Sequence, residues 1–301
     1  MLPHFVILGA QKSASSFVHV CLADHPGIAL PHGETPCFET PDYENGAIAD
    51  LERLFEGQDG KVRGIRRPSY LGRPEVPERL KKHLPDAKLI AVLRDPVVRA
   101  VSSYYHNMAT GFLPVRGVEQ GLRDLLDSRY AARYPRAREV LDYGYYDAPL
   151  RRYRDLFGEA ALLILLHEDI VRDPVAAMRT VYRFLGVGAD FVSARIHSKP
   201  QAVVYNLTRL RLMRRVNPLI YTYNRERTRL WKKPRTPLQD WIFRAYLHVD
   251  RGLLARFLSN EKPVLSPDLH ARLLGLYRAD IEQLEILLQR NLSAWKRSPE
   301  H

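Results

Sequence analysis

The stretch FVILGAQKSASS (residues 5–16) restricts the fold more than any other part of the chain. Phe5, Val6, Ile7 and Leu8 form an uninterrupted apolar run, the pattern of a strand buried on both faces. Gly9 opens a turn, and SSFVHVCLADHP (15–26) reads as a helix that stops near Pro26. A strand, a short turn and a helix N-terminus together present backbone N–H groups and the positive end of a helix dipole to an anion. Lys12 adds a mobile cation, and Ser13, Ser15 and Ser16 add hydroxyl donors. The loop is not a Walker A sequence, which places a glycine directly before its lysine. The glycine here stands three residues earlier, so nucleoside triphosphate hydrolysis is disfavoured. A serine-capped helix beside a solvated lysine accounts for the same letters, so the stretch alone leaves both readings open.

The pattern recurs downstream. Strands are expected at 27–30, 61–66, 87–94 and 160–170, and helices at 76–85, 95–109 and 174–186. That alternation, with uninterrupted apolar strands, predicts an α/β fold: three layers, with a central parallel sheet flanked by helices. Asp95-Pro96 and Asp173-Pro174 each set an N-cap acid before a proline at the first helical position. Arg94 then becomes the last residue of its strand, and open α/β sheets bind ligands outside such ends. Ser102 lies two turns into the helix that follows. Leucines and isoleucines at three- and four-residue steps over 266–292 predict an amphipathic helix.

At 301 residues, with 46% hydrophobic composition, the chain has ample material for a core. We expect a single domain over 1–301 with a basic helical insertion at about 205–265. Within it, residues 209–235 hold ten Lys/Arg against one Glu, so most of the net charge of +12 is concentrated there. The expected form is a basic helical pair with Leu212, Val216, Leu219 and Ile220 packed inward. Such a segment suits an acidic acceptor or peripheral contact with anionic membrane, and the chain lacks any motif for specific nucleic-acid binding. Two cysteines cannot build a disulfide framework, and the N-terminus lacks the basic region of a signal peptide; a cytoplasmic protein is expected. No His/Cys cluster has metal-ligand spacing.

Taken together, these blocks resemble the sulfotransferases that use 3′-phosphoadenosine 5′-phosphosulfate (PAPS), closest to the heparan sulfate and carbohydrate type and its bacterial relatives, with a P-loop-like three-layer fold. ILGAQKSASS is similar to the family loop that grips the 5′-phosphosulfate, which implies cofactor contacts from Gln11, Lys12, Ser13, Ala14, Ser15 and Ser16. LRDPVVRAVSS matches the family segment that holds the 3′-phosphate, with Arg94 and Ser102 at its spacing. The resemblance implies Lys12 at the leaving oxygen and a glutamate base 22 residues further on, which is Glu34 in ETPCF. His32 is the second candidate base and Glu39 the third; Arg66, in RRPSY, would face the sulfate. Ala14 stands where the family loop carries glycine, and Lys199-Pro200 stands near a family Lys-Gly element that closes over the 3′-phosphate. The implied activity is sulfuryl transfer from PAPS to a small-molecule or glycan acceptor, acidic ones included, by in-line displacement, releasing PAP and needing no metal. The alternatives are a nucleotide- or polyanion-binding protein on the same fold without catalysis.

Overall fold

The computed structural model describes residues 1–130, 132–198 and 203–297. In chain order the elements are β1 (Phe5–Gly9), α1 (Ser15–Ala23), β2 (Ile28–Ala29), β3 (Val62–Arg66), α2 (Val76–His83), β4 (Lys88–Leu93) and α3 (Pro96–Thr110). There follow α4 (Val118–Leu126), α5 (Glu139–Asp142), α6 (Asp147–Phe157), β5 (Leu162–Leu166), α7 (His167–Arg172) and α8 (Pro174–Leu185). The remainder comprises α9 (Leu207–Ile220), β6 (Tyr221–Tyr223), β7 (Leu230–Lys232), α10 (Pro237–Val249), α11 (Ala255–Phe257) and α12 (Pro267–Leu288).

Two compact units emerge: Met1–Arg99 with Tyr145–Gln201 and Ala279–Trp295, and Ala100–Gly144 with Ala202–Arg278 and the C-terminus. The first holds a five-stranded sheet in the order β2-β3-β1-β4-β5. Every pairing in it is parallel, with Phe5 opposite Gly64 on one side and Ile7 opposite Ile90 on the other. On one face Phe5, Ile7, Ile90, Val92 and Leu165 pack with Val18 and Leu22 of α1 and with Met178 and Val181 of α8. The alternate residues Val6, Leu8, Leu89 and Ala91 are also fully buried, so both faces are covered, as a continuous apolar run requires. Both Asp-Pro caps form: Asp95 Oδ1 accepts from the Val97 and Val98 N–H groups at 2.8 and 3.0 Å, and Asp173 from Ala176 N at 2.9 Å.

Three local expectations are corrected. The strand expected over 160–170 ends at Leu166, and His167–Arg172 is helical, because Glu168 and Asp169 complement a helix N-terminus. The basic stretch 209–235 is not a pair of helices: α9 is followed by the antiparallel β6–β7 hairpin, with Thr222 opposite Trp231. Asn224 shapes that turn, its side-chain oxygen accepting from Thr228 N and Arg229 N at 2.8 Å each. In α12, Leu269, Leu273, Ile281 and Leu284 are buried as expected, whereas Leu276 is exposed.

Candidate active site

β1 is the centre of the sheet, paired with β3 on one side and β4 on the other. The C-terminal ends of β3, β1 and β4 therefore lie side by side. They carry Arg66 and Arg67, the 10–14 loop, and Arg94 respectively. This is the crevice in which open α/β sheets hold ligands.

The loop after β1 is tightly shaped. Gly9 has φ +127°, and a Cβ there would lie 2.2 Å from the Pro68 carbonyl oxygen, so only glycine fits. Lys12 and Ala14 both take left-handed backbone angles, φ 68° and 74°. Ala14 is the N-cap of α1 and offers no side-chain acceptor, and no acid stands in the first turn. The helix N-terminus thus remains a donor surface for an outside anion. Ala14 thus adopts a left-handed conformation that glycine takes freely, at a cost of roughly 1–2 kcal/mol.

Lys12 is half-buried in this loop, and its ammonium has neither a hydrogen bond nor an ion pair among the described residues. Burial, then the Arg94 guanidinium, push it down to about 8, with Glu34 acting in the opposite direction. Arg94 donates through Nη1 to the Lys12 carbonyl at 3.2 Å, which locks the β4 end to the loop. The Tyr146 hydroxyl in turn donates to the Arg94 carbonyl at 2.8 Å.

The end of β3 collects the carboxylates. Thr35 N donates to the Arg66 carbonyl at 3.0 Å, and the buried Tyr70 hydroxyl donates to the Thr35 carbonyl. These bonds seat the 34–39 segment against β3. Arg67 then clamps it: Nε and Nη2 each donate to Glu39 at 2.8 Å, and Nη1 donates to Glu34 Oε2 at 2.7 Å. Glu39 is 1% exposed and also accepts from the Ser69 hydroxyl. Burial alone would push this carboxyl up, but the bonds and charge of Arg67, the Ser69 hydroxyl and the Arg73 charge outweigh it and hold it down to about 2. Glu39 is therefore a structural anion and not the base that sequence alone allowed.

Glu34 is 40% exposed, and its Oε1 lies 3.7 Å from Arg66 Nη2. Arg66 is buried and donates through Nη1 to the Ser16 hydroxyl at 2.9 Å, while its Nε has no acceptor. A buried guanidinium N–H without a partner is costly and points to a missing anion. His32 is exposed and forms no hydrogen bond among the described residues, but its charge is felt at His19. Burial and the charges of Arg66, His32 and Arg195 push His19 down to about 4, so it is neutral at physiological pH.

The structure thus brings Lys12, Ser16, Glu34, Arg66 and Arg94 to one edge of the sheet, with Ser13 and Ser15 buried beneath and Gln11 and Ala14 in the loop. Ser102 is buried on α3, in the stretch assigned to the second unit. Lys199 lies outside the described residues. Sequence reasoning missed the double grip of Arg67 and the anchoring by Tyr70 and Tyr146.

A parallel α/β sheet with a non-Walker loop and arginines on both neighbouring strand ends forms an anion-binding crevice. The family described as the sulfotransferase family matches residues 66–190. Human bifunctional heparan sulfate N-deacetylase/N-sulfotransferase 2 is 29% identical over 206 residues, covering 62% of this chain and 22% of that protein. Mouse heparan sulfate glucosamine 3-O-sulfotransferase 3A1 is 28% identical over 193 residues, covering 62% and 46% respectively. The chain thus spans about a fifth to about half the length of the curated relatives it matches. A sulfotransferase crystal structure from Alicyclobacillus acidocaldarius aligns over 99% of this chain and 100% of its own, with TM-score 0.68 and 25% identity. Residues 66–190 thus match the sulfotransferase family, and the chain shows distant homology to heparan sulfate sulfotransferases.

Proposed function

We infer that this protein transfers the sulfuryl group of PAPS to a hydroxyl of a carbohydrate or secondary-metabolite acceptor. One observation carries the reading: a half-buried, unpaired Lys12 and the unpaired Nε of buried Arg66 flank an uncapped helix N-terminus, with the Glu34 carboxylate beside them. A half-buried lysine without a partner, and a buried guanidinium with one N–H left over after Ser16 and Glu34, fit a doubly anionic ligand better than they fit a solvated surface.

The donor brings an activated sulfuryl group on a phosphate leaving group. The residues of this chain do the rest. Lys12 would meet the charge that grows on the departing oxygen. Arg66, always protonated, orients sulfate oxygens but does not shuttle protons. Glu34 would take the acceptor's proton: Arg67 holds its Oε2 at 2.7 Å, and Oε1, 3.7 Å from Arg66 Nη2, is the less tightly held oxygen. Arg94 would hold the 3′-phosphate, as the family resemblance implies. The left-handed backbone at Ala14 supports the reading, since it is a conformation that glycine also takes readily.

Adenosine 3′,5′-bisphosphate should raise the melting temperature of the protein while ADP does not; equal shifts from both count against the assignment. Glu34→Gln should lower turnover by roughly 10²- to 10⁴-fold with PAP affinity kept. Loss of PAP binding in that variant removes Glu34 from the role of base.

A further inference from the structure

The second unit carries an apolar stripe with no place in the chemistry above. Leu238, Trp241, Ile242, Val249, Leu253 and Phe257 are all exposed, Trp241 to 67% and Phe257 to 80%. They follow one path along α10, through a wider helical turn at Asp250–Leu254, and on to α11. Their steps of three, four and seven residues put them on one side of that helix. The other side is anchored, because Arg209 of α9 grips the buried Asp250 through Nε and Nη2 at 2.9 and 2.8 Å. The helix is therefore held with its apolar stripe outward, a display that soluble monomers rarely tolerate unless it is used.

The charge around the stripe selects its occupant. Residues 225–257 hold nine Lys/Arg against three Asp/Glu. Of the three acids, Asp240 is neutralised by Arg235 and Arg244 at 2.9 and 2.6 Å, and Asp250 by Arg209. Trp231 and Lys232, both exposed on β7, lie five residues before α10 begins. We propose that this face docks on an anionic phospholipid bilayer, with the helix lying in the interface plane. Trp241 and Phe257 enter the boundary between headgroups and acyl chains, and the flanking cations meet lipid phosphates. A second copy of the chain is a poorer partner, since it brings two cationic rims together. Among the described residues no helix is long and apolar enough to cross a membrane, so the contact lies on the surface.

The test is flotation of the full chain with vesicles of phosphatidylcholine alone, or of phosphatidylcholine and phosphatidylglycerol in equal parts. The protein should partition to the anionic vesicles at least about tenfold more strongly than to the neutral ones. A Trp241→Ser, Phe257→Ser double variant should lose about tenfold or more of that binding with its circular dichroism spectrum unchanged. Three results overturn the proposal: no preference for anionic vesicles, undiminished binding by the double variant, or a dimer in sedimentation velocity that the double variant dissolves.

Discussion

Replacing Glu39 by glutamine tests whether the clamp beneath the site is electrostatic. The side chain keeps its volume, but an NH2 group replaces one of the two oxygens that face Arg67 at 2.8 Å. Glu39 titrates at about 2 in the fold against an ordinary value of 4.5, a gap of about 2.5 pH units, which corresponds to about 3 kcal/mol in favour of the folded anion. Breaking one side of a buried ion pair costs a similar 3–5 kcal/mol or so. The folded value lies below the unfolded one, so this stabilisation is fully present above about pH 4.5 and is lost as the pH falls through about 2. Urea unfolding near pH 7 should therefore show the variant about 3 kcal/mol less stable with an unchanged m-value. By about pH 3 the difference should have fallen to roughly half or less. A deficit under about 1 kcal/mol at neutral pH, or one that stays constant down to pH 3, would refute the reasoning.

Other outcomes follow from the loop. With Lys12 at about 8, PAP affinity should be highest below that pH and fall by up to about tenfold per unit above it, while Lys12→Arg flattens the profile; calorimetric titration across the range checks this. Gly9→Ala should destabilise by at least about 2 kcal/mol in thermal melts, since its methyl group collides with the Pro68 carbonyl. Ala14→Gly should be neutral or stabilising by up to about 1 kcal/mol, because relief of the left-handed strain is offset by a freer unfolded chain. Ala14→Val should lose about 1 kcal/mol or more, and the opposite order of the two variants would contradict the backbone angle.

The sheet was legible because its strands are apolar on both faces, so Phe5–Leu8 and Leu89–Leu93 needed no help from neighbours to be recognised. The Asp-Pro pairs placed Arg94 at the mouth of β4 for the same reason, since cap chemistry is local. Glu34, Glu39 and Arg67 resisted, because the 34–46 segment has no periodicity and its order comes from distant partners, Tyr70 among them. Two carboxylates and an imidazole within eight residues were ranked only by the family resemblance, and burial then set Glu39 apart from the others. The hairpin after α9 was hidden by its charges: arginines and lysines dominated the reading, while the alternation of Tyr221-Thr222-Tyr223 and the turn chemistry of Asn224 carried the structural signal.

The two positive φ angles at Lys12 and Ala14 bear on how portable this motif is. Neither residue prefers that geometry, so the curve of the loop is imposed by the carbonyl of Pro68, the guanidinium of Arg94 and the sheet below. Residues 9–16 transplanted onto a foreign scaffold would spring back to ordinary angles and lose their grip. A graft would have to import the rims of three strands, not one.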